Sequence, residues 1–257
     1  MVSRSDLHRQ YLYDVDSVGQ PKVEMALRKL SRLNPDVKLD PFPESVNSTT
    51  ANELIGGVDV VLDGLDRPEP RYLVNRTCNK LKIPYVFGAA IEAFGNVSTI
   101  VPDQTFCLKS FLSGLKDDDL PKCGVVGVHP SVLGIVTAIQ ASEAVRLLIG
   151  QEPKLLNKLL YIDLRELRFD TINLPTRENC PVCGISPIGS PEPSADKLFE
   201  ETCARDGRRN FIISPKRRIE INLAFLRSYP YGMFHSPRMR TTYHPLLDGY
   251  QLYWGSR

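Results

Sequence analysis

The run Val58-Asp59-Val60-Val61-Leu62 constrains this chain more than any other stretch, because it is apolar apart from Asp59 and leads straight into Asp63-Gly64-Leu65-Asp66. A strand with one wet face alternates polar and apolar residues. A nearly unbroken apolar run belongs instead to a strand covered on both faces, as in parallel sheet. Such a sheet needs crossover helices, and the sequence supplies them. Over residues 21–33, Val23, Ala26, Leu27, Leu30 and Leu33 fall on one helical face, Pro21 suits the first turn, and Asn34-Pro35 ends the helix. Residues 50–55 open with the capping-box pair Thr50 and Glu53 and stop at Gly56-Gly57. Helices are also predicted over 70–82, with Leu73, Val74 and Leu81 inward, and over 130–148, where Gly150 ends the pattern. Strands are predicted at 37–42, 58–62, 85–90, 96–101 (antiparallel to its neighbour), 159–162 and 168–174. This alternation predicts an α/β fold with a doubly wound, mostly parallel sheet.

At 257 residues the chain has room for one large domain and a small appendage. A Pro-, Ser- and Gly-rich linker at 185–196 divides residues 1–184 from a basic segment at 197–257, which has strand-like runs at 210–213 and 219–223. That segment is expected to form a small α/β module, marginal in stability unless it docks. Net charge is +2, with acids and bases nearly balanced, so no nucleic-acid-binding surface is indicated. Residues 1–10 lack the apolar core of a signal peptide, and no uninterrupted apolar run approaches the roughly 20 residues of a membrane span. Six cysteines in a chain of this length, two of them as Cys180-x-x-Cys183, fit a reducing, cytoplasmic compartment with metal or thiol chemistry.

Three groups of residues carry chemistry. Arg9 and Lys22 stand just ahead of a well-patterned helix, and Asp66 follows a strand end. Two fixed cations and a carboxylate able to hold magnesium are what reaction at a nucleoside triphosphate requires. Each has a plainer reading, as a solvated cation or a turn-forming aspartate. Cys123, in Pro121-Lys122-Cys123-Gly124, is a candidate nucleophile because Lys122 and a following helix start favour thiolate; its plainer reading is a small buried hydrophobe. Cys180-Pro181-Val182-Cys183-Gly184 has the form of a zinc knuckle, which needs a second pair of ligands. Cys78 reads as a core residue. His129 precedes Pro130 and helps to start the long helix, and Asp117-Asp118-Asp119 reads as a solvated loop.

Residues 5–184 resemble the ThiF/MoeB/HesA family, relatives of ubiquitin-activating enzymes. The resemblance runs through Asp6-Leu7-His8-Arg9-Gln10, Val18-Gly19-Gln20-Pro21-Lys22, Asn34-Pro35 and Asp63-Gly64-Leu65-Asp66. It continues through Pro84-Tyr85-Val86-Phe87-Gly88, Cys107-Leu108, Pro121-Lys122-Cys123, Gln140-Ala141-Ser142-Glu143-Ala144 and Cys180-Pro181-Val182-Cys183. It implies a Rossmann-like fold and a site in which Arg9, Gln10 and Lys22 contact ATP and Asp66 holds magnesium. It also implies a sulfur-handling role for Cys123 and a structural zinc on Cys107, Cys180 and Cys183. Three departures stand out. Asp6 and Arg67 each replace a usual asparagine, and Gln104 occupies the place assigned to a fourth zinc-ligating cysteine, leaving Asp103, Cys203 or water as substitutes. The resemblance also begins beyond the family's first strand and glycine-rich turn, so the chain is expected to be N-terminally truncated. The alternatives are that another polypeptide supplies that unit or that nucleotide binding is lost.

The expected function is therefore ATP-dependent adenylation of the C-terminal glycine of a small β-grasp partner, a ubiquitin-like or sulfur-carrier protein. Thiol or persulfide transfer would follow, with a sulfur donor and a homodimeric enzyme among the expected partners. A non-catalytic carrier-binding subunit is the alternative. A nicotinamide-dependent oxidoreductase ranks below both, since the chain has no G-x-G-x-x-G.

Overall fold

The apolar run at 58–62 does open a sheet, but only its last two residues pair. In the computed structural model β1 (Val61–Leu62) lies parallel to β2 (Tyr85–Ile91), with Val61 opposite Tyr85. The bond from Asp63 N to Val86 O, 3.0 Å, prolongs the pairing by one residue. The sheet continues through β3 (Phe94–Ile100), β4 (Lys158–Asp163) and β5 (Arg168–Asn173), in the order β1-β2-β3-β4-β5. The structure describes residues 1–112, 114, 126–174 and 179–184, and beyond these the strand segments 199–203, 209–213, 240–244, 249–253 and 255–256.

The α/β class is as expected, but the pairing in these five strands is mixed rather than mostly parallel. Only β1 and β2 are parallel; β2–β3, β3–β4 and β4–β5 are antiparallel. The cause is local. Glu92, at φ 51°, and Ala93 turn β2 directly into β3, and so short a connection leaves no room for the crossover that parallel pairing requires. The strand expected at 37–42 does not form, and Val37 and Phe42 lie exposed in irregular chain.

Five helices flank the sheet among the described residues: α1 (Lys22–Leu33), α2 (Ala51–Ile55), α3 (Pro68–Leu81), α4 (Leu108–Phe111) and α5 (Pro130–Leu148). In α1 the expected apolar face is only partly covered: Val23, Ala26 and Leu27 are half-buried, Leu30 and Leu33 are exposed, and Met25 is the buried residue. The capping box expected at α2 is not made either. Thr50 Oγ1 instead donates to Ser45 O at 2.7 Å and accepts from Asn47 N at 3.1 Å. His129 does cap α5, its Nδ1 accepting from Ser131 N at 3.3 Å.

Strand alternation in β2 builds the two cores. Tyr85 and Phe87 point to one face, with Ile55, Val74, Cys78, Ile83, Ile100 and Leu108. Val86 points to the other, with Val97, Val132, Val136, Ala144 and Ile162. Helix α5 seats closely because two glycines let it. A Cβ on Gly88 would come within 2.4 Å of the Gln140 side chain, and one on Gly95 within 2.7 Å of Val136. By length and composition α5 is apolar enough to cross a membrane. It lies instead along β2 and β3, and its polar residues Gln140 and Glu143 are buried and bonded to the sheet and its connections.

The chain divides into two compact units, Met1–Glu192 and Pro193–Arg257. The second unit contains β6 (Phe199–Cys203), β7 (Arg209–Ile213), β8 (Arg240–His244), β9 (Gly249–Tyr253) and β10 (Gly255–Ser256). They form an antiparallel sheet of order β10-β7-β6 and a separate antiparallel pair, β8-β9. The elements described in this unit are strands only, and the run at 219–223 lies outside the described residues.

Candidate nucleotide site and thiol cluster

A positive-φ turn at Gly19 (φ 85°) brings the first residues beside the start of α1. Gly19 N donates to Val2 O at 2.9 Å, and Val2 N to Gln20 O at 2.8 Å. Within this frame a short 3-10 turn, Arg4–Asp6, sets Asp6 almost out of solvent. Asp6 joins the two expected cations. Its Oδ1 lies 2.9 Å from Arg9 Nη2 and its Oδ2 3.2 Å from Lys22 Nζ. Ser3 N and Ser3 Oγ each also donate to Asp6 Oδ2 at 2.9 Å. Burial opposes ionisation of Asp6, but the bonds from Ser3 and the Lys22 ammonium prevail and hold its carboxyl below the usual carboxylate range. Arg9 further donates to Ser5 O, and Gln10 N donates to Asp6 O at 2.9 Å. The cations are thus held as a pair rather than left as separate solvated side chains. Asp6 takes up one of their two positive charges.

Asp66 stands exposed on the loop between β1 and α3. Three side chains fix that loop. Asp63 Oδ1 accepts from Leu65 N at 2.8 Å, and Asp63 Oδ2 lies 2.9 Å from Arg71 Nε. Arg71 Nη2 donates to Leu65 O and to Gly88 O, the latter at 3.0 Å, while its guanidinium covers the Phe87 ring at 5.4 Å. From the other face of the sheet, Gln140 Nε2 donates to Asp63 O and Val86 O, both at 3.0 Å. Burial raises the Asp63 pKa despite the opposing pull of Arg71. Arg71 is a residue that the sequence reading missed. Its one signal was an arginine on the inward side of a helix just after an acidic strand end.

The thiols of Cys107, Cys180 and Cys183 gather within 4.8 Å of one another. Cys107 Sγ is 3.6 Å from Cys180 Sγ. Cys183 is pushed down to about 5, first by the hydrogen bond it shares with Cys107 and then against burial by those from Ser110 and Cys180; the same bond to Cys183, with burial, pushes Cys107 up. A buried set of soft sulfur donors around one point fits zinc by ligand chemistry. Gln104 occupies the place that the resemblance gives to a fourth cysteine. It is exposed, its backbone N bonds Val101 O at 3.2 Å, and its carbonyl accepts from Asn157 Nδ2 at 3.5 Å. Asp103 pairs with Lys82 at 2.6 Å. Ser110 stands beside the sulfurs, with Oγ 3.3 Å from Cys183 Sγ and 3.8 Å from Cys107 Sγ, and the Asn75 side chain bonds Cys107. Cys78 is a core residue as expected, its thiol pushed up to about 12 by burial. Cys123 and Asp117-Asp118-Asp119 lie outside the described residues.

Residues 1–182, which contain the Asp6–Arg9–Lys22 cluster, the loop bearing Asp66 and two of the three clustered cysteines with part of the knuckle, match the ThiF family. The chain belongs to that family. Among curated proteins, this ThiF-family chain is 36% identical over 204 residues to the SAMP-activating enzyme E1 of Haloferax volcanii, covering 79% of this chain and 74% of the relative. It is 35% identical over 195 residues to the sulfur carrier protein adenylyltransferase of Thermus thermophilus, covering 72% and 71%. To the molybdopterin-synthase adenylyltransferase of Salmonella typhimurium it is 32% identical over 183 residues, covering 71% and 74%. The crystal structure of Escherichia coli MccB shares the fold, with a TM-score of 0.62 and 21% identity over 72% of this chain; the chain spans 56% of that structure's length. By family the ThiF-type chain is an enzyme of the adenylyltransferase class.

Proposed function

We propose that this chain is a cytoplasmic enzyme that uses ATP to adenylate the C-terminal glycine of a small ubiquitin-like or sulfur-carrier protein. The observation that carries the reading is the pairing of Arg9 and Lys22 through one buried carboxylate, Asp6, at 2.9 and 3.2 Å. In the proposed step the partner's carboxylate oxygen attacks the α-phosphorus of ATP, a P–O bond forms, and pyrophosphate departs with the electron pair of the broken bond. The attacking carboxylate is ionised at neutral pH, so no general base is required. Catalysis then rests on position and on neutralising charge. Arg9 and Lys22 meet the phosphate oxygens, Gln10 assists, and the Asp63–Arg71–Gln140 lattice keeps the Asp66 loop in place. The exposed carboxylate of Asp66 suits a hard, oxygen-seeking cation such as magnesium, which would neutralise phosphate charge when bound.

A second step at Cys123 belongs to the same proposal. The acyl-adenylate carbonyl is attacked by a thiolate or persulfide sulfur and AMP leaves. A sulfur donor and a homodimeric enzyme complete the proposed assembly. Cys107, Cys180 and Cys183 are proposed to hold a structural zinc, tying α4 to the chain around 180–184. The test of the first step is carrier-dependent exchange of labelled pyrophosphate into ATP. Exchange is expected in a chain restored to include the family's first strand and glycine-rich turn, and is lost, by at least about a hundredfold, in the Asp66→Ala variant of that chain. Exchange at the wild-type rate in that variant overturns the assignment.

A further inference from the structure

We propose that Ser110 is the fourth ligand of the metal site, making it a three-sulfur, one-oxygen centre rather than an incomplete set of cysteines. The inference rests on the zinc reading above, and three observations carry it. The first is spacing: Cys107-x-x-Ser110 repeats that of Cys180-x-x-Cys183. Both turns bond back to the carbonyl of their first cysteine at 2.9 Å, though over different spans: Ser110 N to Cys107 O across three residues, and Gly184 N to Cys180 O across four.

The second is distance. Zinc bonds of about 2.3 Å to sulfur and about 2.0 Å to oxygen, directed to the corners of a tetrahedron, separate two sulfurs by ~3.8 Å and a sulfur from an oxygen by ~3.5 Å. Three of the tetrahedron's edges are observed directly, 3.6 Å between Cys107 and Cys180, 3.3 Å between Ser110 and Cys183, and 3.8 Å between Ser110 and Cys107, and the three sulfurs lie within 4.8 Å of one another. The third is that, of the other candidates named by the sequence, Asp103 pairs with Lys82 and Gln104 is exposed.

The oxygen has a consequence. A neutral hydroxyl is a weaker donor to zinc than a thiolate and leaves one less negative charge on the centre, so the fourth bond is the exchangeable one. This site holds its metal less tightly than a four-thiolate version of itself would. Ser110→Cys supplies the fourth thiolate. Ser110→Ala removes the donor with little change in volume.

The experiment uses the full chain loaded with zinc, and in parallel with cobalt(II), whose thiolate charge-transfer band counts sulfur ligands. The expected results are a cobalt band roughly one third stronger in Ser110→Cys than in wild type, as the thiolates rise from three to four. Zinc loss to a chelator is expected to be at least about tenfold slower in Ser110→Cys and at least about tenfold faster in Ser110→Ala, since even outer partners of a metal site shift affinity about 10- to 100-fold. Both variants keeping the wild-type band and release rate would remove Ser110 from the centre while the zinc reading stands. Absence of any thiolate band in all three proteins overturns the zinc reading, and the role of Ser110 with it.

Discussion

Asp6 is the residue on which the nucleotide site turns, because it organises two cations and neutralises one of them. Asp6→Asn removes that negative charge while keeping an oxygen for the Ser3 amide. The phosphates would then meet a net charge of two rather than one. The KM for ATP in pyrophosphate exchange is expected to fall about two- to fivefold, the scale of a partly exposed ion pair worth up to about 1 kcal/mol. An unchanged or higher KM would mean that Asp6 serves to orient the cations more than to offset them. The same residue sets an acid dependence. Its folded pKa lies below the usual value, so its contribution to stability is present above the ordinary aspartate pKa of about 3.9 and is lost as pH falls through the lower folded value. Wild type and Asp6→Asn should therefore converge in stability below that pH, as chemical denaturation at several acid pH values would register. The sequence made Arg9 and Lys22 legible through their place before a helix. It could not show that Asp6 bridges them, since that depends on a turn at Gly19 folding one segment onto another. Ser110 was missed for a different reason: a serine in a C-x-x-C frame looks like a broken motif until the sulfurs are seen around it.

At the scale of elements, α5 and β2 hold the site from behind. Their close approach depends on Gly88, above which the Gln140 amide lies, 3% exposed, committed to the carbonyls of Asp63 and Val86. A methyl at that position has to displace the amide. Although the side chain is flexible, moving it takes both partners from a buried donor and one bond from Asp63 O, while Val86 O keeps the bond from Asp63 N. Gly88→Ala is expected to cost about 1–3 kcal/mol, read from the urea midpoint. An unaltered midpoint would show that Gln140 can swing aside without penalty. The long helices and the strands β2 to β5 were legible because their periodicity extends over enough residues to average out exceptions. Two short elements were not. The apolar, charged mixture at 37–42 has strand-forming residues but no partner strand among the described residues. The Thr50–Glu53 pair has capping-box spacing, yet Thr50 is drawn to the preceding turn. The antiparallel turn from β2 into β3 through Glu92-Ala93 was legible in the sequence, whereas the predominance of antiparallel pairing over all five strands was not.

At the scale of the whole molecule, the residues assigned a chemical role fall on one side of the division at Glu192. Arg9, Lys22, Asp66, Cys107, Cys123, Cys180 and Cys183 all belong to Met1–Glu192, and the match to the ThiF family also ends within it. Both hydrophobic cores described here, one beneath α3 and one beneath α5, are built from residues of that unit. A chain of this size buries enough surface to be stable without a partner unit, whereas one the size of Pro193–Arg257 is marginal by itself. The adenylation step should therefore not need the second unit. A chain ending at Glu192 is expected to fold cooperatively and to retain carrier-dependent pyrophosphate exchange within about threefold of the full chain, since the charges that stabilise the transition state are unaltered. The measurement pairs exchange rates with a thermal unfolding curve on each protein. Loss of exchange in a shortened chain that still unfolds cooperatively would assign the second unit a part in binding the carrier or the nucleotide. Loss of cooperative unfolding would instead assign it a part in stability, and the two outcomes are separated by the same pair of measurements.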